Sequence, residues 1–218
     1  MKFTKIISII LIFAVVFSLA ACYDKEESKK GTTLEPIALD AVVTSEGEPE
    51  RTRVSFEVEN YGTFIIETYP EHAPETVNHF LELVDNGCYN GYTIDKIVPS
   101  LAIFSSSYSV DLTSDSAAGF NNTVSGEFSK NGRSNSLKLD KYTLALNRIP
   151  SDYNSAMSQF MIFLSANHNM DGEYAGFAKV VEGTQIIDRI AGAETDTSGK
   201  PVSPIVMKKV YINRYFLC

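Results

Sequence analysis

The sequence predicts a mainly β domain in which about eight strands form a closed antiparallel β-barrel capped by two helices. Three observations lead to this prediction. Short β-rich runs recur between turn residues, apolar residues show helical spacing in one early and one late segment, and about 165 residues follow Arg53. This length suits one hydrophobic core, so residues 51–215 are predicted to form a single domain.

The first predicted elements are a β-hairpin and a helix. Residues 54–59 alternate apolar and polar side chains, which is typical of a half-buried strand, and a second β-rich run follows the turn, at 63–68. Apolar residues then recur at helical spacing over 77–84, and Gly87 provides a stop for that helix.

The remaining elements are six strands, a loop and a second helix. The strands are predicted at 94–98, 101–104, 142–146, 159–164, 176–181 and 206–212. A Ser- and Asp-rich loop is predicted at 105–120, and a helix at 184–191, where Ile186, Ile187 and Ile190 form the apolar side. One early and one late helix suit caps on the two ends of a barrel.

Residues 1–21 have the pattern of a secretory signal peptide. Lys2 and Lys5 precede an apolar run at 6–21, which is shorter than the roughly 20 residues of a comfortable membrane helix. The run ends Leu19-Ala20-Ala21-Cys22, which looks like a bacterial lipobox. We therefore expect lipidation at Cys22, a membrane anchor of two or more acyl chains and an extracytoplasmic location. The alternative is an ordinary signal peptide with a cysteine there by chance.

Residues 22–50 are predicted to be the lipidated N-terminus and a flexible tether, because their Glu, Lys, Ser and Thr content cannot bury enough surface to offset the entropy of ordering. The net charge of −8 becomes about −10 once the signal peptide is removed. An acidic chain without a basic patch argues against nucleic-acid binding. Cys88 and Cys218 remain, and whether they form a disulfide is open.

A block between residues 154 and 183 carries a family resemblance. It reads Asn154-Ser155-Ala156-Met157-Ser158-Gln159-Phe160-Met161-Ile162, then Met170-Asp171-Gly172, then Phe177-Ala178-Lys179-Val180-Val181-Glu182-Gly183. A Pro74-Glu75-Thr76-Val77 helix start, Tyr89-Asn90-Gly91 and Glu127-Phe128 add to it. These runs resemble the cyclophilin-type prolyl isomerases. The resemblance implies the family's barrel, a monomer, proline-containing polypeptides as partners and no cofactor.

Isomerisation of an X–Pro bond rotates an amide against a barrier of about 18–20 kcal/mol and needs no covalent step. A site for it needs apolar walls, amide groups that hold the flanking backbone and a cation that stabilises the twisted amide. The resemblance places Lys96 at the family's catalytic arginine and retains Gln159. Lysine keeps the charge but loses the planar fork. Strand alternation places Lys96 on one face with Ile94 and Val98, and the alternative for Lys96 is a solvated surface charge.

The resemblance also implies substrate-binding residues, several of them substituted. Leu101 and Met161 are expected apolar walls, Phe104 replaces a glutamine, and Tyr174 replaces the pocket histidine. Asn147 and Arg148 fall where the family has an Ala-Asn edge that grips the substrate backbone. Matches to the family concentrate in positions that maintain the fold. The substitutions concentrate in the pocket.

Two further departures concern neighbouring loops. Asn169 falls at the family's tryptophan or aliphatic position before the Asp-Gly turn. Ser105 and Ser106 replace two glycines, so the loop after them is expected to take another path.

The sequence therefore predicts a membrane-anchored prolyl isomerase that assists the folding of exported proteins, with activity reduced by the pocket substitutions. A non-catalytic peptide- or protein-binding module at the cell surface is the alternative, and a passive spacer is a third possibility. No metal is expected, because the scattered His72, His79 and His168 lack zinc-ligand spacing.

Overall fold

The computed structural model describes residues 50–106 and 122–214, all within one compact unit, Glu46–Cys218. Several predictions lie outside these residues: the signal peptide, the lipidation site Cys22, nearly all of the tether and most of the loop 105–120. Cys218 also lies outside them, so whether it pairs with Cys88 stays open. Neither helix of the described part is long and apolar enough to cross a membrane.

Eight strands and two helices form the domain, which confirms the mainly β prediction. The strands are β1 (Arg53–Val58), β2 (Gly62–Thr68), β3 (Ile94–Val98), β4 (Ala102–Ser105), β5 (Thr143–Leu146), β6 (Phe160–Phe163), β7 (Gly176–Glu182) and β8 (Met207–Ile212). The helices are α1 (Pro74–Asp85) and α2 (Thr184–Ala191). Each predicted strand and helix is present, within a few residues of its expected bounds.

The strands form one curled antiparallel sheet in the order β3-β4-β6-β5-β7-β2-β1-β8. The predicted closure is wrong, because β3 and β8 share no continuous ladder within the described residues. The bridge between Thr93 and Val206 brings the two edges together just outside these strands. Along β3 itself the Ile97 amide donates to the Gly199 carbonyl at 2.8 Å. A loop before β8, rather than β8, therefore lies beside β3.

Side-chain alternation gives the sheet two apolar faces. The inner face and the helices enclose the main core, where Phe56, Phe80 and Phe160 are fully buried with ring centroids 5.8–6.5 Å apart. The outer face carries a second, smaller cluster on β4, β5 and β6. Within β6, Ile162 belongs to the inner core and Met161 to the outer cluster.

A buried carboxylate holds the start of α1. Glu127 is 1% exposed and accepts hydrogen bonds from the amides of Glu75 at 3.1 Å and Thr76 at 2.8 Å, and from the Thr76 hydroxyl at 2.7 Å. These amides are among those that lack partners within a helix, and a negative charge suits the positive end of the helix dipole. Glu127 thereby fixes α1 to the loop that precedes β5.

The alternation predicted for β3 is interrupted by a bulge. Ile94 pairs with Ser105 and Lys96 pairs with Phe104, which leaves Asp95 as an extra residue. Ile94 and Ile97 both lie in the main core. The expectation that Lys96 shares a face with Ile94 is therefore wrong, because the bulge turns the strand between them.

Candidate active site

The outer apolar cluster defines a candidate site. Its buried members are Ala102, Leu139, Ala145, Met161 and Phe163, and the partly exposed Leu101, Phe104, Met170 and Tyr174 pack against them. The structure thus brings together four predicted pocket residues, whose roles in binding stay predictions. Because the partly exposed members pack against buried ones, the cluster presents an apolar surface on which a small apolar ring could rest.

Lys96 lies at the edge of this cluster. It is the cross-strand partner of Phe104, and Phe104 is the partner of Met161, so the three residues form one row across β3, β4 and β6. Directly opposite side chains in such rows have Cβ atoms about 5 Å apart. Lys96 is exposed and has no ion pair among the described residues. Its aliphatic part lies beside Gly199 of the loop before β8, and its ammonium has no carboxylate in the described part of the chain that would compete with a ligand.

Gln159 is held in place by two groups. Its Nε2 donates to the Ser105 carbonyl at 2.8 Å, and its Oε1 accepts from Asn147 Nδ2 at 2.7 Å. A glutamine amide has two hydrogens and two lone pairs on its oxygen, so each end of the group can form one more hydrogen bond. Asn147 and Gln159 therefore lie together, and one orients the other.

The backbone on both sides of Gln159 is anchored to the main core. The buried Tyr89 and Tyr92 donate their hydroxyls to the carbonyl and the hydroxyl of Ser158, at 3.0 and 2.7 Å. Burial raises the pKa of Tyr89 well above its ordinary value. Ser105 Oγ accepts from the Phe160 amide at 3.0 Å. The substituted serine at 105 thus supports the strand that carries the site.

A groove of about 310 Å³ adjoins this amide pair. Its lining includes Asn147, Gln159, Ile149, Pro150 and Met157. Ile149 is 59% and Met157 is 41% exposed, which is high for such large apolar side chains. The site therefore offers an apolar cluster, a pair of amides and a groove that continues beyond them.

Met170 was missed as a pocket residue by the sequence analysis. Asn169, the position chosen before the Asp-Gly turn, is exposed, and it is Met170 that packs against the outer cluster. The signal that could have found it is the apolar side chain placed directly before Asp171. Met170 lies in a short 3-10 turn, His168–Met170, which presents the last residue of the turn to the cluster.

The described part of the chain contains no group of three or more His, Cys, Asp or Glu side chains that could hold a metal ion. Cys88 is buried, and burial raises the pKa of its thiol. Its position in the main core separates it from the outer cluster.

The curled eight-stranded sheet and the apolar site on its outer face are in line with the family resemblance found in the sequence. Comparisons with known proteins support that assignment. Residues 53–212 match the family model described as cyclophilin type peptidyl-prolyl cis-trans isomerase/CLD. The chain therefore belongs to this family.

Curated relatives include bacterial enzymes. Peptidyl-prolyl cis-trans isomerase B of Escherichia coli is 30% identical over 166 residues, covering 71% of this chain and 96% of the relative. A peptidyl-prolyl cis-trans isomerase of Acinetobacter baylyi is 32% identical over 163 residues, covering 70% of this chain and 81% of the relative.

Solved structures share the fold. A cyclophilin type peptidyl-prolyl cis-trans isomerase of Cryptosporidium parvum has a TM-score of 0.64 and 21% identity, covering 77% of this chain and 100% of that one. A second structure of that protein, in the presence of the dipeptide Ala-Pro, has a TM-score of 0.62 and 22% identity, covering 75% and 99%.

Proposed function

We propose that this chain catalyses peptidyl-prolyl cis-trans isomerisation at the outer apolar cluster, with Lys96 as its electrostatic donor. One observation carries the proposal: in a cross-strand row an exposed lysine lies next to an apolar cluster, and a pair of amide side chains lies close to the same cluster. Apolar walls, a cation and amides are the groups that the reaction needs. Membership of the isomerase family supports the same reading.

In this mechanism the proline ring rests against Leu101, Met161 and Met170. The Lys96 ammonium stabilises the twisted amide, in which the nitrogen lone pair is localised instead of being shared with the carbonyl. The remaining hydrogen and lone pair of Gln159 hold the backbone beside the proline. No bond is broken, so the pocket acts by binding the twisted state more tightly than either planar state.

The substrates proposed are proline-containing segments of exported proteins at the outer face of the membrane. The lipobox-like Leu19-Ala20-Ala21-Cys22 supports an anchor there, and the solved structure with Ala-Pro supports proline-containing ligands. The unchanged chain should incorporate labelled palmitate, and a Cys22→Ser chain should not. Absence of label from the unchanged chain would contradict the anchor without touching the catalytic proposal.

The test of catalysis is exchange NMR on a short Ala-Pro peptide with the protein at substoichiometric concentration. Uncatalysed isomerisation takes tens of seconds or more at 25 °C, so exchange cross-peaks on a sub-second timescale would establish an isomerase. Lys96→Ala should remove most of the exchange, and Lys96→Arg should raise it because the guanidinium has a planar fork of donors.

Lys208→Ala is the matched control, since Lys208 is exposed and likewise has no ion pair among the described residues. It should leave exchange unchanged. If Lys96→Ala also left exchange unchanged, Lys96 would not be the donor.

A binding module is the second candidate, and the Gln159 contacts favour it. Both ends of that amide already have a partner, so its freedom to follow a changing substrate backbone is reduced. Peptide binding without accelerated exchange, by a folded protein, would select this candidate.

A further inference from the structure

Arg148 is a buried cation that the proposed mechanism does not use. It is 8% exposed, and no carboxylate lies within ion-pair distance of it among the described residues. A buried charge without an ion-pair partner is costly unless other groups replace its hydration. The surroundings of this guanidinium therefore need an explanation.

Backbone carbonyls from two segments replace the lost water. Arg148 Nε and Nη2 donate to the Glu173 carbonyl at 3.1 and 3.0 Å. Nη1 donates to the carbonyls of Ile149 at 3.1 Å and Pro150 at 2.9 Å. One guanidinium thus joins the turn before β7 to the loop after β5.

Three aromatic rings lie close to the guanidinium. Its carbon lies 4.5 Å from the ring centroid of Tyr174, 4.8 Å from that of Tyr153 and 5.3 Å from that of Phe128. A cation near a ring face is attracted by the ring's quadrupole, and the attraction grows when both groups are removed from water. Tyr174 is therefore held through its ring and through the carbonyl of the residue before it.

The two segments that Arg148 joins contribute to two parts of the candidate site, the outer cluster and the groove. Tyr174 packs against the outer cluster, whereas Ile149 and Pro150 line the adjoining groove. Breaking the guanidinium contacts would free both walls at once.

We propose that Arg148 is a positioning residue that fixes the Tyr174 wall of the pocket relative to the Ile149–Pro150 wall of the groove, and so couples the binding of proline to the binding of the residues beside it. The inference rests on the proposed function in one respect, that the outer cluster is where proline binds. Arg148 also lines the groove, but the inference assigns its donors to the carbonyls of Glu173, Ile149 and Pro150 and not to the substrate.

The test compares Arg148→Met and Arg148→Lys with a matched control, Arg189→Met. Arg189 lies 5.2 Å from the Tyr61 ring centroid and donates to the Tyr61 and Asn60 carbonyls, so it makes the same kinds of contact at an exposed position elsewhere on the domain. Affinities are measured by NMR titration with two peptides, a short Ala-Pro peptide and one with three apolar residues before the proline.

The expected result is a larger loss for the long peptide than for the short one. Arg148→Met should weaken binding of the long peptide by about fivefold or more, within the range of couplings between contacting residues. The affinity lost in Arg148→Lys should be close to that lost in Arg148→Met, because lysine keeps the charge but lacks the planar fork of donors that reaches both segments. Arg189→Met should bind both peptides like the unchanged protein.

A merely structural role gives a different pattern. Arg148→Met leaves the carbonyls of Glu173, Ile149 and Pro150 without this donor, which costs stability, so the unfolding free energy of each variant is measured alongside. The proposal would be overturned if each folded variant lost the same proportion of its affinity for the long and the short peptide. It would also be overturned if Arg148→Lys bound both peptides like the unchanged protein.

A readout without ligand separates this inference from the proposed function. The resonances of the Tyr174 ring and of the Ile149 methyl groups should both shift in Arg148→Met. Neither should shift in Arg189→Met. If they shift and no peptide binds, the proposed function fails while the positioning role stands. If neither shifts, the positioning role is overturned whatever the peptides do.

Discussion

Asn147 and Gln159 hold each other at two levels: the Asn147 side chain donates to Gln159 Oε1 at 2.7 Å, and the Asn147 amide donates to the Gln159 carbonyl at 2.7 Å. With Gln159 Nε2 on the Ser105 carbonyl, the orientation of the Gln159 amide is fixed in the absence of any ligand. Preorganisation of this kind lowers the ordering cost of binding. The substitution at position 147 thus acts through Gln159 as well as at the site edge.

Asn147→Ala should therefore weaken peptide binding while leaving the fold intact. The lost hydrogen bond is worth about 0.5–1.5 kcal/mol, so the dissociation constant should rise by roughly two- to tenfold. Gln159→Ala should have a larger effect, and the double variant should be little worse than Gln159→Ala alone. Asn213→Ala, which removes a side-chain contact to Ser55 on another part of the sheet, is the control. Fully additive losses would contradict the assigned relationship.

Met170→Ala tests the pocket residue that the resemblance did not indicate. Met170 packs on the outer cluster with partial exposure. Removing most of its apolar contact should weaken proline-peptide binding by about fivefold, or about 1 kcal/mol at 25 cal/mol per Å² of buried apolar surface. Leu81→Ala removes a partly buried side chain that packs on the main core instead. It should lower stability without changing affinity, and an equal loss of affinity in both variants would remove Met170 from the pocket.

The strands and helices could be predicted from the sequence because alternation and helical spacing are local patterns. Residues 54–59 and 184–191 carry such patterns, and β1 and α2 lie there. The bulge at Asp95 could not be predicted in this way, since it depends on the pairing of β3 with β4. Whether the barrel closes depends on contacts between distant segments. The loop that brings the Gly199 carbonyl to Ile97 takes the place beside β3 that a closed barrel would give to β8.

Residue type and resemblance were enough to indicate candidate site residues. They did not indicate which groups those residues contact in the folded chain. Leu101, Met161 and Tyr174 were placed by resemblance, and the structure brings them together. The hydrogen bond between Asn147 and Gln159 and the burial of Arg148 join segments that are separate in sequence. No local pattern reports them, because each depends on how β5, β6 and the turn before β7 meet.

Glu127→Gln should destabilise the domain through the start of α1. The Glu127 carboxylate accepts from the Thr76 amide and hydroxyl and from the Glu75 amide. Hydrogen bonds to a charged group are worth about 1.5–3 kcal/mol, and the amide of glutamine can replace them only in part. Glu75→Gln is the control, because the exposed Glu75 side chain pairs with Arg133 at the surface, where such pairs are worth about 0–1 kcal/mol. Urea unfolding that gave equal losses would contradict the capping role.

Asp171→Asn should destabilise the domain at neutral pH and much less in acid. Burial pushes the pKa of Asp171 upward, but the Leu139 amide at 3.0 Å and the Lys138 ammonium at 3.1 Å outweigh it, and the pKa lies below its ordinary value. A lowered folded-state pKa means that the charged form stabilises the fold. That contribution is complete above the unfolded pKa, near 3.9, and is lost as pH falls through the lower folded pKa.

The measurement is the unfolding free energy of the unchanged protein and of Asp171→Asn in urea, at pH 7 and at the lowest pH where both remain folded. The difference between them should shrink toward acid. Asp95→Asn is the control, since Asp95 is exposed in the β3 bulge and its pair with Lys200 is long, at 4.0 Å. A constant difference for Asp171→Asn at both pH values would show that its carboxylate stabilises the fold through geometry and not through charge.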